Sequence, residues 1–125
     1  MIYSTPAQLA LSTIPTSLIE GQESEDGQYA EFAANYVKSQ IAAFERLWKL
    51  SDAELVAELA DIRKNQSYAA DERDWDEYEG WEVARYEVYA VQTNREAIAD
   101  EAEQAKLISE PSAPLTYRPF AALAG

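Results

Sequence analysis

The sequence contains neither cysteine nor histidine. Without cysteine the chain cannot form a disulfide or offer a thiolate nucleophile, and without histidine it lacks the side chain that most often acts as a base near neutral pH. The usual zinc sites, which are built from these two residue types, are excluded as well. A lack of cysteine is compatible with any compartment, so it carries little information on location.

Basic residues are scarce: 10 Lys and Arg face 23 Asp and Glu, for a net charge of -13. Binding to phosphate backbones depends on Lys and Arg side chains that release counterions, so we predict no direct binding of nucleic acid. An anionic membrane surface is disfavoured for the same reason. The electric field of the chain instead favours a basic protein surface as the partner.

Long apolar runs are missing too. The stretch 9–19 is interrupted by Ser12, Thr13 and Pro15, and it is too short for a membrane span. The first basic residue is Lys38, so the basic start of a secretory signal is absent. These features predict a cytoplasmic protein with no membrane association.

The residues that are present predict one all-α domain over residues 1–125. Hydrophobic residues make up 47% of the chain and aromatic residues 11%, which is enough for a modest core. We expect a small helical bundle with one long C-terminal helix. A short helical N-terminal arm (1–22) precedes the helical core (28–108), and an extended, proline-containing tail (111–125) follows it.

Local signals place the helices. Thr5 and Pro6 are typical of a helix start, and Pro15 stops that helix near residue 13. We expect a second, brief helical turn at 17–20 and a loop at 21–27. The first long helix should span 28–50, with a broad apolar face at three- and four-residue steps. The members of that face are Tyr29, Phe32, Ala33, Tyr36, Val37, Ile41, Phe44 and Trp48.

Ser51 and Glu54 form a capping box for a second helix, which we expect to end near Lys64. A turn at 65–67 leads to a third helix that begins between 67 and 71. It runs to about residue 108, close to 40 residues, so it should project beyond a compact core at about 1.5 Å per residue.

Three stripes run along this long helix. The first is an aliphatic seam with coiled-coil-like spacing, which predicts that its residues are buried in the core. Its members are Trp81, Ala84, Val88, Val91, Ile98, Ala102 and Ala105. The second stripe is aromatic and contains Trp75, Tyr78, Tyr86 and Tyr89. Such rings suit a core edge or an interface. We favour an interface, with a partner protein or with a second copy in a homodimer, because the first two helices and the seam already make a core.

The third stripe is acidic. Residues 71–82 hold seven acids and one base. Along a helix this is about one charge per 3 Å, close to the roughly 3.4 Å spacing along a DNA strand. The same acids also suit a helix start or a solvated face. The candidate partner-binding residues are the four aromatic residues above together with Glu72, Asp74, Asp76, Glu79, Glu82 and Glu87.

Catalytic and metal motifs do not fit. Carboxylates on a solvated helix face have no cleft that would raise their pKa. Asp74 and Asp76 begin like a calcium loop, but Glu79 stands where that loop needs glycine. The chain lacks the Glu-x-x-His pairs of di-iron bundles and a glycine-rich phosphate loop. We therefore predict no enzymatic activity, no metal and no cofactor.

The sequence thus favours a non-enzymatic acidic helical protein that binds a basic protein surface. It would act as an inhibitor, or as a nucleic-acid mimic that blocks a partner which handles nucleic acid. The alternative is a structural or assembly subunit of a larger complex, such as a viral or phage particle, which would use the arms at 1–22 and 111–125.

Overall fold

The computed structural model describes residues 1–109, which form five α-helices and no strand. The helices are α1 (Pro6–Thr13), α2 (Thr16–Gly21), α3 (Gly27–Trp48), α4 (Asp52–Asp71) and α5 (Trp75–Ser109). The predicted all-α bundle with a long C-terminal helix and a short helical arm is confirmed. The predicted extended tail lies outside the described residues.

The N-terminal arm is held by its own caps and by α5. The Thr5 hydroxyl accepts a hydrogen bond from the Gln8 amide at 3.2 Å, so α1 begins where the sequence predicts. Both short helices pack on α3. Asn94 of α5 ties down the chain start, because its side chain accepts from the Tyr3 amide (2.9 Å) and donates to the Tyr3 carbonyl (3.0 Å).

The capping box at the start of α4 is confirmed. The Ser51 hydroxyl accepts from the Glu54 amide at 3.1 Å, and the Glu54 carboxylate accepts from the Ser51 amide at 2.8 Å. These bonds satisfy amides that the first helical turn leaves without partners. Leu55, in the same turn, is fully buried.

The predicted end of this helix near Lys64, and the turn at 65–67, are wrong. Helix α4 continues to Asp71 because Gln66 is buried on the face that also carries Ile62 and Ala69. The Gln66 amide donates to the Glu82 carboxylate at 2.7 Å. A buried polar group needs such a partner, and α5 supplies it.

The turn between α4 and α5 lies at residues 72–74. Arg73 has a φ of 56°. The Arg73 amide donates to the Ala70 carbonyl and the Asp74 amide to the Ala69 carbonyl, at 3.0 and 2.9 Å. This is the Schellman arrangement, which usually places glycine at the left-handed position. The long helix therefore starts at Trp75, not between 67 and 71, and has 35 residues.

The core lies where α1, α3, α4 and α5 meet. Its buried members are Leu9, Ala10, Phe44, Leu47, Leu55, Leu59, Ile62, Val88 and Val91. Arg95 closes one end of this core, since its guanidinium bonds Asp52 at 2.8 Å and the Leu50 carbonyl at 2.6 Å.

The aliphatic seam of α5 is core only in part. Val88 and Val91 are buried, whereas Ile98 is 41% exposed and every residue from 98 to 108 is exposed. Helix α4 begins beside Arg95, and α5 continues beyond that point to Ser109. Residues 96–109, the α5 extension, cover about 21 Å at 1.5 Å per residue. Within residues 1–109, no helix is both long enough and apolar enough to cross a membrane.

A candidate protein-binding surface

The α4–α5 turn concentrates exposed negative charge. Six of the nine residues 71–79 are acidic and one, Arg73, is basic, which is a net charge of -5. All six carboxylates are on exposed residues: Asp71, Glu72, Asp74, Asp76, Glu77 and Glu79. The salt bridges Arg46–Glu58, Arg85–Glu82 and Arg95–Asp52 involve none of them. We name these six residues the acidic end.

Two of the six carboxylates have structural tasks. Asp74 caps α5, because its side chain accepts from the Glu77 amide at 3.1 Å. The Glu77 carboxylate accepts from the Trp81 indole at 3.2 Å. Among residues 1–109, no side-chain hydrogen bond involves the remaining four. Helix capping therefore explains one of these acids, and four remain free to meet a cation.

Aromatic rings stand beside these acids. Trp75 is 56% exposed and lies edge-on to Tyr78, with ring centroids 5.7 Å apart. Tyr68, near the end of α4, is 68% exposed. Tyr68 and Trp81 both line a cleft of about 240 Å³ between α4 and α5.

We call this the acidic cleft. Its lining residues are Asn65, Tyr68, Ala69, Glu72, Asp74, Glu77 and Trp81. Carboxylates beside aromatic faces provide the two groups that attract Lys and Arg side chains, through charge-assisted hydrogen bonds and cation–π contacts. The cleft can therefore receive one basic side chain.

Two predicted binding residues join α4 to α5 instead. Glu82 accepts from Gln66 and from Arg85, and these bonds, that of Arg85 first, hold the pKa of Glu82 below its usual value. The Tyr89 hydroxyl accepts from Arg63 at 3.2 Å, and Arg63 and Arg85 lower the pKa of Tyr89. The charge of Glu82 is thus largely compensated within the chain.

Glu87 lies apart from the acidic end, in a groove between α3 and α5. The groove encloses about 320 Å³. Its lining residues are Thr13, Pro15, Tyr36, Gln40, Phe44, Val83, Tyr86 and Glu87. Burial raises the pKa of Glu87, although the Gln40 side chain and the Arg46 charge favour its ionised form. We call this the aromatic groove.

The ten predicted binding residues therefore divide between several environments. Glu72, Asp74, Asp76, Glu79 and Trp75 are exposed at the acidic end, with Tyr78 half-buried beside them. Tyr86 is 60% exposed and borders the aromatic groove, where Glu87 is half-buried. Glu82 and Tyr89 are partly buried and engaged within the chain.

Sequence reasoning missed the exposure of two aromatic rings on α3. Phe32 is 57% exposed and Tyr36 is 37% exposed, although both belong to the apolar face predicted for this helix. A signal was available, because Phe32 lies about 100° around the helix from Ala33, which is fully buried. An apolar face that wide exceeds what one neighbouring helix covers.

Comparison of the chain with models of protein families, with characterised proteins and with solved structures finds no match. Among residues 1–109, no group of three or more acidic side chains is arranged to hold a metal ion.

Proposed function

We propose that this protein is a non-enzymatic binding protein that docks its acidic end on a basic surface of another protein. The observation that carries the proposal is the acidic cleft, where Glu72, Asp74 and Glu77 stand beside the rings of Tyr68 and Trp81. A Lys or Arg of the partner would pair with Glu72 and with the second carboxylate oxygens of Asp74 and Glu77, which the internal hydrogen bonds do not use. Its stem would cover the rings.

The net charge of the acidic end supports a narrower form of this proposal. The acidic end places a net charge of -5 within nine residues, and a nucleic-acid strand is likewise a dense array of negative charges. The turn at 72–74 interrupts the single helix on which the regular charge spacing was predicted, so the likeness is one of charge and not of spacing. A partner that normally holds nucleic acid would present a complementary surface, and the protein would act as its competitive inhibitor.

Binding also suits the carboxylates better than catalysis does. The acids of the acidic end are exposed. Within residues 1–109, Glu87 is the one carboxylate whose pKa is raised, by burial, and no second carboxylate lines its groove. Reactions such as glycoside hydrolysis need two carboxylates on opposite sides of the scissile bond.

The α5 extension favours the alternative, a structural or assembly subunit. It presents Ile98, Leu107 and Ile108 at 41%, 61% and 82% exposure. The N-terminal arm gives this alternative less support, because its apolar residues Leu9, Ala10 and Ile14 are buried within the same chain. An assembly contact would then depend on the α5 extension and on residues 111–125.

A pull-down from the native host identifies the partner, and a salt series tests the proposal. We expect the affinity to fall steeply between about 0.05 and 0.5 M salt, because exposed charges are screened within about 10 Å at 0.1 M. A variant with Asp71→Asn, Glu72→Gln, Asp76→Asn and Glu79→Gln should bind at least about fourfold more weakly, since each exposed ion pair contributes about 0.2–1 kcal/mol.

The matched control removes four exposed acids elsewhere: Glu23→Gln, Glu31→Gln, Glu45→Gln and Asp100→Asn. It changes the net charge by the same amount, so it separates the acidic end from the overall field. Equal losses in both variants, or an affinity that does not respond to salt, would favour the assembly alternative. Displacement of the partner's nucleic acid by the protein tests the inhibitor form.

A further inference from the structure

The aromatic groove is an apolar surface for which the described residues provide no cover. Tyr86 and Val83 on α5 are 60% and 52% exposed, and Tyr36 on α3 is 37% exposed. Phe32, which does not line the groove but neighbours Tyr36 along α3, is 57% exposed. The α3 rings form a continuous row, with centroids 6.3 Å apart for Tyr29 and Phe32 and 6.4 Å for Phe32 and Tyr36. Clustered exposed apolar surface of this kind marks interaction sites.

The groove is also charged at one point. Glu87 contributes the only carboxylate among its lining residues, and it is half-buried. Its charged neighbour Arg46 is engaged by Glu58 in a salt bridge. A cation from outside would therefore improve the electrostatic environment of Glu87, while apolar side chains would cover Tyr36, Val83 and Tyr86.

The shape of the groove favours a helix as the occupant. The groove runs between two helices, and residues 1–109 contain no sheet edge to which an extended strand could add. A helix that lies in such a groove inserts side chains at steps of three and four residues. About 320 Å³ accommodates side chains rather than a single water, whose share of liquid volume is about 30 Å³.

We infer that the aromatic groove is a docking site for an amphipathic basic helix of a partner protein, with apolar side chains between Tyr36, Val83 and Tyr86 and a Lys or Arg on Glu87. The inference rests on the proposed function, because it assigns the basic partner a helix with an apolar face. A second copy of this chain is a poorer occupant, since two copies would each bring a net charge of -13.

Three synthetic peptides of equal length test the inference on the full-length protein. The first carries Leu at helical spacing and Lys on the other face, and the second replaces each Leu by Ser. The third replaces each Lys of the first by Glu. Fluorescence anisotropy measures their affinities, and amide NMR shifts locate the binding.

We expect the Leu–Lys peptide to bind at least tenfold more tightly than the Ser–Lys peptide, with shifts at Val83 and Tyr86. Val83→Asn with Tyr86→Ser should abolish that preference. Glu87→Gln should lower the affinity for the Leu–Lys peptide more than the affinity for the Ser–Lys peptide. The control Leu107→Ser replaces a similarly exposed apolar residue on the α5 extension and should leave the preference unchanged. Circular dichroism melts check that every variant is folded.

The outcomes separate the two proposals. If both Lys peptides bind equally and shift only the acidic end, the groove inference is wrong and the proposed function stands. If neither Lys peptide binds, the groove inference is wrong, and the salt series on the captured partner decides the proposed function. A dimer that Tyr86→Ser dissociates, or nuclear Overhauser contacts between the Tyr86 ring and residues 110–125, would show a different occupant and overturn the inference.

Discussion

Replacing Asn94 by alanine removes both hydrogen bonds between α5 and the N-terminal arm. The Asn94 side chain is 3% exposed, and it pairs with the amide and the carbonyl of Tyr3 at 2.9 and 3.0 Å. Alanine can replace neither bond. The two backbone groups of Tyr3 then stay unsatisfied, or the arm detaches so that water can reach them.

The magnitude follows from these two groups. Each buried backbone group left without a partner costs about 1–3 kcal/mol. The higher helix propensity of alanine offsets up to about 0.7 kcal/mol of this loss. We therefore expect Asn94→Ala to lower the free energy of unfolding by about 1–5 kcal/mol. A domain of this size loses roughly 3–5 °C of Tm per kcal/mol, so the Tm should fall by at least about 4 °C.

Denaturant melts and amide hydrogen exchange measure the effect. The control is Thr93→Ala, the exposed neighbour on the same helix, where we expect a change within about 0.5 kcal/mol. The Tyr3 amide should lose its protection in the Asn94 variant alone. A melt indistinguishable from that of the Thr93 variant, with the Tyr3 amide still protected, would refute the assignment of Asn94 as the anchor of the arm.

Two further substitutions test the energetics of α4 and α5. Burial raises the pKa of Glu87, so the folded protein holds this proton more tightly than the unfolded chain does. The resulting stabilisation is present below the unfolded pKa of about 4.3 and is lost as the pH rises through the folded pKa. Glu87→Gln should therefore raise the Tm at pH 7, and this gain in Tm should shrink toward about pH 3.5. An equal gain at pH 7 and at about pH 3.5 would contradict burial of the ionised carboxylate as its cause. Arg73→Gly should raise the free energy of unfolding by about 1 kcal/mol in urea melts, because a φ of 56° is unfavourable for a residue with a Cβ; a destabilised variant would show that the Arg73 side chain contributes more than its backbone costs.

The end of α4 shows where local reasoning fails. Three polar residues at 65–67 have the composition of a turn. Gln66 nevertheless lies in a helix. Glu82 on α5 accepts a hydrogen bond from the Gln66 amide, and this bond offsets the free-energy cost of burying that amide. That partner is 16 residues away in the sequence, so no local pattern could reveal it.

The sequence predicted only part of the candidate site, because the rest depends on contacts between residues that are distant in the chain. The acids of residues 71–79 and Trp75 are exposed, and their clustering is visible in the sequence. The sequence did not single out Tyr68, because the contribution of this residue depends on how the end of α4 faces Trp81. Glu82 and Tyr89 were expected at the surface, yet Arg85 and Arg63 engage them.

The sequence by itself determined the charge, the catalytic groups that are absent, the helical class and most helix starts. Caps and prolines act on neighbours within about four residues, so Thr5, Pro15 and Ser51 act wherever the helices finally pack. Only the tertiary structure decided which side chains are covered. Exposure is a property of neighbouring helices, and Tyr36 and Tyr86 form a groove because α3 and α5 meet only in part along their lengths.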